Sequence, residues 1–399
     1  MSNENIPQAA HAILAPSAAS TWVHCPGALQ AQQGCPDKSS VYAAEGTAAH
    51  EVAAMALNED CGASAYLGEV ITVEEEDETY EFTVGQEMVD AVDAYLGYAR
   101  QVIADSGSED TITAVEQRVQ TSIPACYGTS DLIVYLRDQR HLHVFDLKYG
   151  KGIRVDALEN LQMIIYGWGA VRGLNNHEQP LPETITLHIC QPRLNHFDPY
   201  TLDAETFWGS VENIHGAALR ALDPEDLERI PGDKQCQWCK AKGSCPELAE
   251  HVNNVVKAQF PIQTQPEGID LAGAMSQVDL VKSWVKAVEA KVFDALSLGV
   301  AVDGYKLVAG RSTRKWGQDD ETVMAELRKR KLRVKDITEQ SLLSVAKLEK
   351  SLGKQAFAKK AADLVVKPAG KPVIAPATDK RPAVQPSEQF EIQTESKVA

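Results

Sequence analysis

Gly128-Thr129-Ser130-Asp131, followed by Val144-Phe145-Asp146-Leu147-Lys148, is the stretch on which the reading of this chain turns. Asp131 falls at the start of one apolar strand-like run, 130–136, and Asp146 and Lys148 lie near the end of the next, 141–147. Side chains alternate along a strand, so Asp146 and Lys148 point the same way. If the two runs pair as a hairpin, Asp131 comes close to Asp146. Two carboxylates and an ammonium then converge at the rim of an apolar sheet. Carboxylate oxygens of this kind hold a hard Mg2+ or Mn2+ ion, which neutralises a phosphate and activates a water. Lys148 orients that water or stabilises the developing negative charge. An Asp-x-Lys triplet alone is common at exposed strand ends, so its neighbours must carry the argument.

Outward from the hairpin, a strand is predicted over 112–119 and a helix over 87–104 before it. A helix over 156–171 and a strand over 185–191 follow. Helix, three-strand meander, helix and strand in that order predict an α/β fold, a mixed central sheet flanked by helices. Residues 204–221 are predicted helical, 70–82 a solvent-facing strand or hairpin, and 47–57 a helix capped by Thr47. Residues 20–26 open or cap a short helix. His50, on the alanine-rich helix, offers imidazole, a better ligand for Mn2+ than for Mg2+. Glu116, on the strand before Asp131, either adds a contact behind the ligands or faces solvent. Gln162 and Tyr166 share one face of the later helix. There they can hydrogen-bond a DNA phosphate or support the metal ligands.

The chain's 399 residues predict roughly two to three domains. Its 44% hydrophobic and 24% charged content is that of a soluble globular protein. The net charge of -17 argues against coating nucleic acid by bulk attraction, though a local basic channel remains compatible with it. With no apolar run long enough for a bilayer and no secretion signal, a cytoplasmic location is expected. Residues 1–20 read as a flexible lead-in, 21–255 as the domain carrying the acidic and cysteine constellations, and 256–270 as a linker. A smaller C-terminal α+β module is expected over 271–363, with two helical patterns in 271–298, a short strand at 305–308, and helices at 322–327 and 341–348. Residues 364–399 read as an extended or disordered tail. In that module Arg311, Arg314, Lys315 and Trp316, then Arg328, Lys329, Arg330 and Lys331, are candidate contacts to phosphate and exposed bases.

Of the eight cysteines, Cys61, Cys126 and Cys190 read as buried thiols. Cys236, Cys239 and Cys245 form a compact group in a loop, as at zinc or iron–sulfur centres. The fourth ligand is Cys25 or Cys35, each followed by proline. A ligand from that region would staple the two ends of one domain.

Together these residues resemble the RecB-like branch of the PD-(D/E)XK nuclease superfamily and, more closely, the phage and prophage proteins of the DUF2800 family. The family's helix histidine is matched by His50 in Glu45-Gly46-Thr47-Ala48-Ala49-His50, and its Gly-x-x-Asp motif by Gly128 to Asp131. Its (Asp/Glu)-x-Lys motif is matched by Asp146-Leu147-Lys148, and its Gln-x-x-x-Tyr motif by Gln162 to Tyr166. The resemblance covers residues 15–250 and resumes at Gly304-Tyr305-Lys306-Leu307-Val308 and Arg314-Lys315-Trp316. It implies a restriction-endonuclease-like core. Its metal would be held by His50, Asp131, Asp146 and the backbone carbonyl of Leu147, with Lys148 catalytic and Gln162 and Tyr166 steadying the substrate. Relatives with an iron–sulfur cluster use one early and three late cysteines, which implies a [4Fe-4S] cluster on Cys25, Cys236, Cys239 and Cys245, zinc being the runner-up.

The implied activity is a Mg2+- or Mn2+-dependent DNA exonuclease of phage recombination, working inside a bacterial host beside a single-strand annealing protein or a helicase. No phosphate-loop motif for energy-driven unwinding is present in the chain itself. A homo-oligomer is compatible with this reading, but no residue pattern demands one. Two other classes remain: a catalytically silent nuclease-like module that binds DNA ends or a replication partner, and a zinc-stapled structural phage protein.

Overall fold

Five strands join in one sheet: β3 (Thr111–Gln120), β4 (Tyr127–Leu136), β5 (His141–Leu147), β6 (Thr184–Gln191) and β7 (His196–Asp203), paired in that order. The computed structural model describes residues 12–35, 40–75, 78–259 and 271–305. β5 and β6 run parallel and the other neighbours antiparallel. The parallel pair needs a crossover, supplied by α5 (Leu161–Asn176). The sheet is therefore mixed and flanked by helices, as expected.

Both faces of its inner strands are covered, so successive side chains are buried on either side, with His143, Thr186 and His188 among the apolar ones. From β4 and β5, Ile133, Tyr135, Leu142 and Val144 enter a core with α5 and α6 (Ala204–Leu222). Leu132, Val134, Phe145 and Leu147 enter a second core with α3 (Val41–Asn58) and α4 (Gln86–Ser106). Close approach is built in where α5 crosses β3: a Cβ on Gly169 would lie 2.7 Å from Val119 Cβ. The expected hairpin forms as β1 (Val70–Glu74) and β2 (Thr79–Thr83). Two short helices, α1 (Ala19–Trp22) and α2 (Ala28–Ala31), precede α3, and α7 (Asp233–Cys236) and α8 (Pro246–Gln259) follow α6.

Several expectations need correction. The first twenty residues are not wholly a loose lead-in: Leu14 is fully buried and its N–H donates to Ala125 O. Thr47 does not cap α3. Ser40 does, its hydroxyl accepting from Ala43 N at 3.2 Å, while Thr47 donates to Ala43 O from mid-helix. α5 starts later than expected, where Asn160 caps it by accepting from Met163 N at 3.2 Å, and runs on to Asn176. The two helical patterns of 271–298 are one helix, α9 (Leu271–Ser297). α9 packs on α8: Leu280 joins Leu248 and Val252 in one small core, and Lys242 Nζ donates to Ser283 Oγ. α9 thus packs with α8 inside one compact unit. α8 extends into the expected linker. Lys306 and all later residues lie outside the described residues, and with them the candidate DNA contacts Arg311, Arg314, Lys315, Trp316 and Arg328 to Lys331.

Candidate active site

The β4–β5 ladder is paired as far as Leu132 and Phe145, so Asp131 and Asp146 are the next opposed residues in the same register. There the backbone pairing gives way to a side chain. Leu147 N donates to Asp131 Oδ2 at 2.6 Å. Asp146 is almost wholly buried, and Lys148 Nζ stands 2.9 Å from its Oδ2 and 3.2 Å from its Oδ1. The first turn of α5 supplies Gln162, which accepts from Lys148 Nζ at 3.0 Å. The amide of Gln162 donates to Asp146 Oδ1 at 3.3 Å and to Tyr166 Oη at 3.0 Å. From the opposite layer, α3 brings His50 Nδ1 to 3.2 Å from Asp131 Oδ1. All six of His50, Asp131, Asp146, Lys148, Gln162 and Tyr166 thus meet at one end of the sheet.

The electrostatics follow from burial opposed by pairing. Burial pulls His50 down, but the Asp131 charge and hydrogen bond, aided by Asp146, raise it to about 9. Burial likewise pushes Asp131 up, yet His50 and the Leu147 N–H hold it below the usual carboxylate range. Asp146 goes the other way: burial raises it against the pull of Lys148. Burial and the Asp131 charge push Glu116 up to about 7. Negative charge is crowded here, and a divalent cation would relieve it. The donor set also fits one. A ring nitrogen of His50 and carboxylate oxygens of Glu116 and Asp131 all lie within 4.8 Å of one another, and hard oxygens with one imidazole suit Mn2+ or Mg2+.

Three local features place these groups. Gly128 lets two neighbours close in, since a Cβ there would lie 2.9 Å from Pro16 Cγ and 3.1 Å from Tyr166 Cε1. Arg193, after β6, ties the sheet end to the helices. Its guanidinium reaches Glu45 on α3 at 3.5 Å and Glu87 on α4 at 3.1 Å, and lies over the Tyr149 ring. Tyr95 on α4 is fully buried, and its hydroxyl has no hydrogen-bond partner among the described residues. Its ionisation is disfavoured by burial and by Asp131.

The second constellation lies apart in sequence but closes in space. Cys25, Cys236, Cys239 and Cys245 line one small cavity, with Arg229 and Leu248. Cys25 Sγ accepts from Ile230 N at 3.4 Å and Cys236 Sγ from Gly232 N at 3.5 Å. Burial raises all four thiols, Cys239 to about 11. Cys35 is not in the lining and sits by Ala31 O at 3.9 Å. Of the isolated cysteines, Cys126 and Cys190 are buried and Cys61 is half-buried.

Residues 11–382 match the family model described as "Protein of unknown function (DUF2800)". The chain belongs to the DUF2800 family. Among solved structures, this DUF2800 chain is similar to one described as "Crystal structure of SSO0001", at 16% identity over 57% of this chain and 84% of that chain. The TM-score is 0.21, too low for that likeness to bear on fold or function. Among the described residues of the DUF2800 chain, no helix is long and apolar enough to cross a membrane.

Sequence reasoning left the place of Glu116 in this DUF2800 protein open and missed Tyr95 and Arg193 altogether. Counting the β3–β4 register would have set Glu116 opposite Asp131. Nothing in the sequence marks Tyr95 or Arg193. A second carboxylate–histidine group, Asp156, His196 and Asp198, was also missed. Its atoms are occupied: Asp198 accepts from Ala157 N at 2.7 Å, His196 meets Val155 O at 2.9 Å, and Asp156 pairs with Arg154 at 2.8 Å.

Proposed function

We propose that this protein is a divalent-metal-dependent deoxyribonuclease of the PD-(D/E)XK, RecB-like kind, acting as an exonuclease in phage recombination or DNA processing. One observation carries the reading. Asp131 and Asp146 lie side by side where two strands part, with the Lys148 ammonium 2.9 Å from Asp146. His50, Asp131, Asp146 and the carbonyl of Leu147 would hold the ion. When bound, Mg2+ or Mn2+ supplies charge neutralisation at the phosphate and a lowered pKa for water. The chain's own groups do the rest. Lys148 has one face on Asp146 and Gln162, and its remaining donor capacity is available to a water or a phosphoryl oxygen. Gln162 fixes Lys148 and Tyr166 together, so both face the same substrate position. In hydrolysis the water gives up a proton to solvent as its oxygen bonds to phosphorus, the P–O ester bond breaks, and the departing alkoxide takes a proton from solvent or from Lys148, which solvent then reprotonates.

We infer further that Cys25, Cys236, Cys239 and Cys245 hold a [4Fe-4S] cluster. The four thiols line one small cavity, a donor set that suits iron–sulfur or zinc, and one early cysteine with three late ones is the pattern of the cluster-bearing proteins that the chain resembles. Such a cluster would staple Cys25, after α1, to the segment joining α7 and α8. The purified protein is expected to be brown, absorb near ~400 nm and contain iron. Stoichiometric zinc without that absorption would remove the cluster from the proposal.

The activity is tested with end-labelled linear DNA and closed circular DNA, each with and without Mn2+. Linear DNA is expected to lose its labelled nucleotides only with metal, and the circle to survive. Absence of cleavage in every arm would leave a DNA-end or partner-binding module in its place, which the net charge of -17 also accommodates.

A further inference from the structure

Glu116 is the residue of this site that the nuclease motifs do not use. β3 and β4 pair at Val115↔Leu132 and again at Gln117↔Ser130, so Glu116 stands directly across from Asp131. In the midst of this extended strand its φ is 46°. A left-handed backbone is unfavourable for a residue with a Cβ, and where one persists the surrounding structure holds it. The register and the backbone turn leave the Glu116 carboxylate within 4.8 Å of ligand atoms on both His50 and Asp131. Asp146 is not in that group. It is taken up by Lys148 and Gln162 on the β5 side, and its buried Oδ2 has no hydrogen-bond partner among the described residues, only the ion pair to Lys148.

The ligands therefore fall into two sets that share Asp131. On the β5 side lie Asp146 and the Leu147 carbonyl. On the β3 and α3 side lie Glu116 and His50. We propose that Glu116 is a metal ligand, and that with His50 and Asp131 it forms a second divalent-cation position bridged through Asp131 to the one beside Asp146. This rests on the site being a metal centre, as proposed above, and moves His50 to the second position. One imidazole and two carboxylates favour Mn2+ over Mg2+ there, since imidazole suits transition ions. The full chain can thus hold two ions in the absence of DNA.

The test needs no substrate. Chelator-treated full-length protein is titrated with Mn2+ alone, and bound metal is counted from the loss of the free-ion electron paramagnetic resonance signal. Wild type is expected to bind two Mn2+ per chain. Glu116→Gln is expected to bind the second at least about ten-fold more weakly. Glu116→Gly provides the folding control, because glycine accepts the left-handed backbone. It should melt no lower than wild type without metal, and still lose the second ion. One Mn2+ in wild type, or two bound with unchanged affinity in Glu116→Gln, would overturn the assignment. DNA cleavage is scored separately. Two ions in wild type with no cleavage would defeat the nuclease reading and leave Glu116 a ligand. Metal-dependent cleavage with a Mn2+ count unaltered by Glu116→Gln would do the reverse.

Discussion

Lys148→Ala is expected to slow metal-dependent DNA cleavage by about 10²- to 10³-fold, the loss that follows removal of one charge-stabilising donor, while the protein stays folded. The fold should survive for a physical reason. Lys148 is a quarter exposed at a strand end, outside both large cores. Its loss leaves Asp146 buried without a counter-ion, but burial already raises that carboxyl, so protonation offers a cheap escape. Asp146→Ala should abolish cleavage as well, by removing a ligand while the freed ammonium turns to Gln162 and solvent. Together the two variants separate roles. Lys148→Ala should keep its Mn2+ binding, and Asp146→Ala should lose the ion held beside that carboxylate while the position on Glu116, His50 and Asp131 persists. The measurements are single-turnover cleavage of linear DNA, Mn2+ titration and thermal melting of each variant. Cleavage at the wild-type rate by either variant would remove the Asp-x-Lys motif from the chemistry.

Much of this arrangement was legible before any coordinates because one rule governs it. A strand covered on both faces reads as an apolar run with polar breaks at its ends, as the 132–136 half of β4 does, whereas β5 and β6 carry His143, Thr186 and His188 within and were marked by their β-branched and aromatic residues. An Asp at the start of one such strand and an Asp near the end of the next must meet if the strands pair antiparallel, so the Asp131–Asp146 approach follows from the hairpin alone. The edge was harder. β7 carries Pro199 and has few buried residues, which is tolerated at an edge and hides the strand. α3 begins six residues before Thr47, and its first turn exposes Val41 and Tyr42. The amphipathic signal is absent where the helix starts. Glu116 stayed between a contact behind the ligands and a solvent-facing side chain for another reason: no residue type announces that a glutamate will adopt a left-handed backbone, which the surrounding packing must impose. Of the cysteines, grouping in sequence marked three and left the fourth to Cys25 or Cys35, and the cavity lining takes in Cys25 and not Cys35.

Acid is expected to weaken this fold from about pH 6.5 downward, because two imidazoles are locked neutral inside it and outweigh the opposite contribution of the raised Glu116 carboxyl. His143 on β5 and His188 on β6 are joined Nδ1 to Nε2 at 3.0 Å, and His188 Nδ1 meets Tyr98 Oη at 2.9 Å. His143 Nε2 is buried with no partner among the described residues. A bare ring nitrogen there is tolerable, whereas an N–H would be an orphan donor. The proton of neutral His143 therefore belongs on Nδ1, donated to His188, which in turn donates to Tyr98. Burial, reinforced by the neighbouring histidines including His141, drives both His143 and His188 down to about 3. Unfolded, each would titrate near ~6.5. Between those values the unfolded chain binds protons that the folded chain refuses, so stability present above pH 6.5 is lost as pH falls toward 3. The slope is about 1.4 kcal/mol per pH unit for each histidine. Urea unfolding of wild type at pH 7, 6, 5 and 4 should show it. The double variant His143→Gln and His188→Gln, which cannot titrate but can still hydrogen-bond, should lose stability more gently by about two protons' worth of slope. Superimposable pH profiles would mean that the imidazoles are not held neutral. Phe145 stacks on His188 at 4.1 Å between ring centroids and lies next to Asp146 in the chain, so charging this ladder in acid should loosen the strand that carries the Asp146 and Lys148 pair.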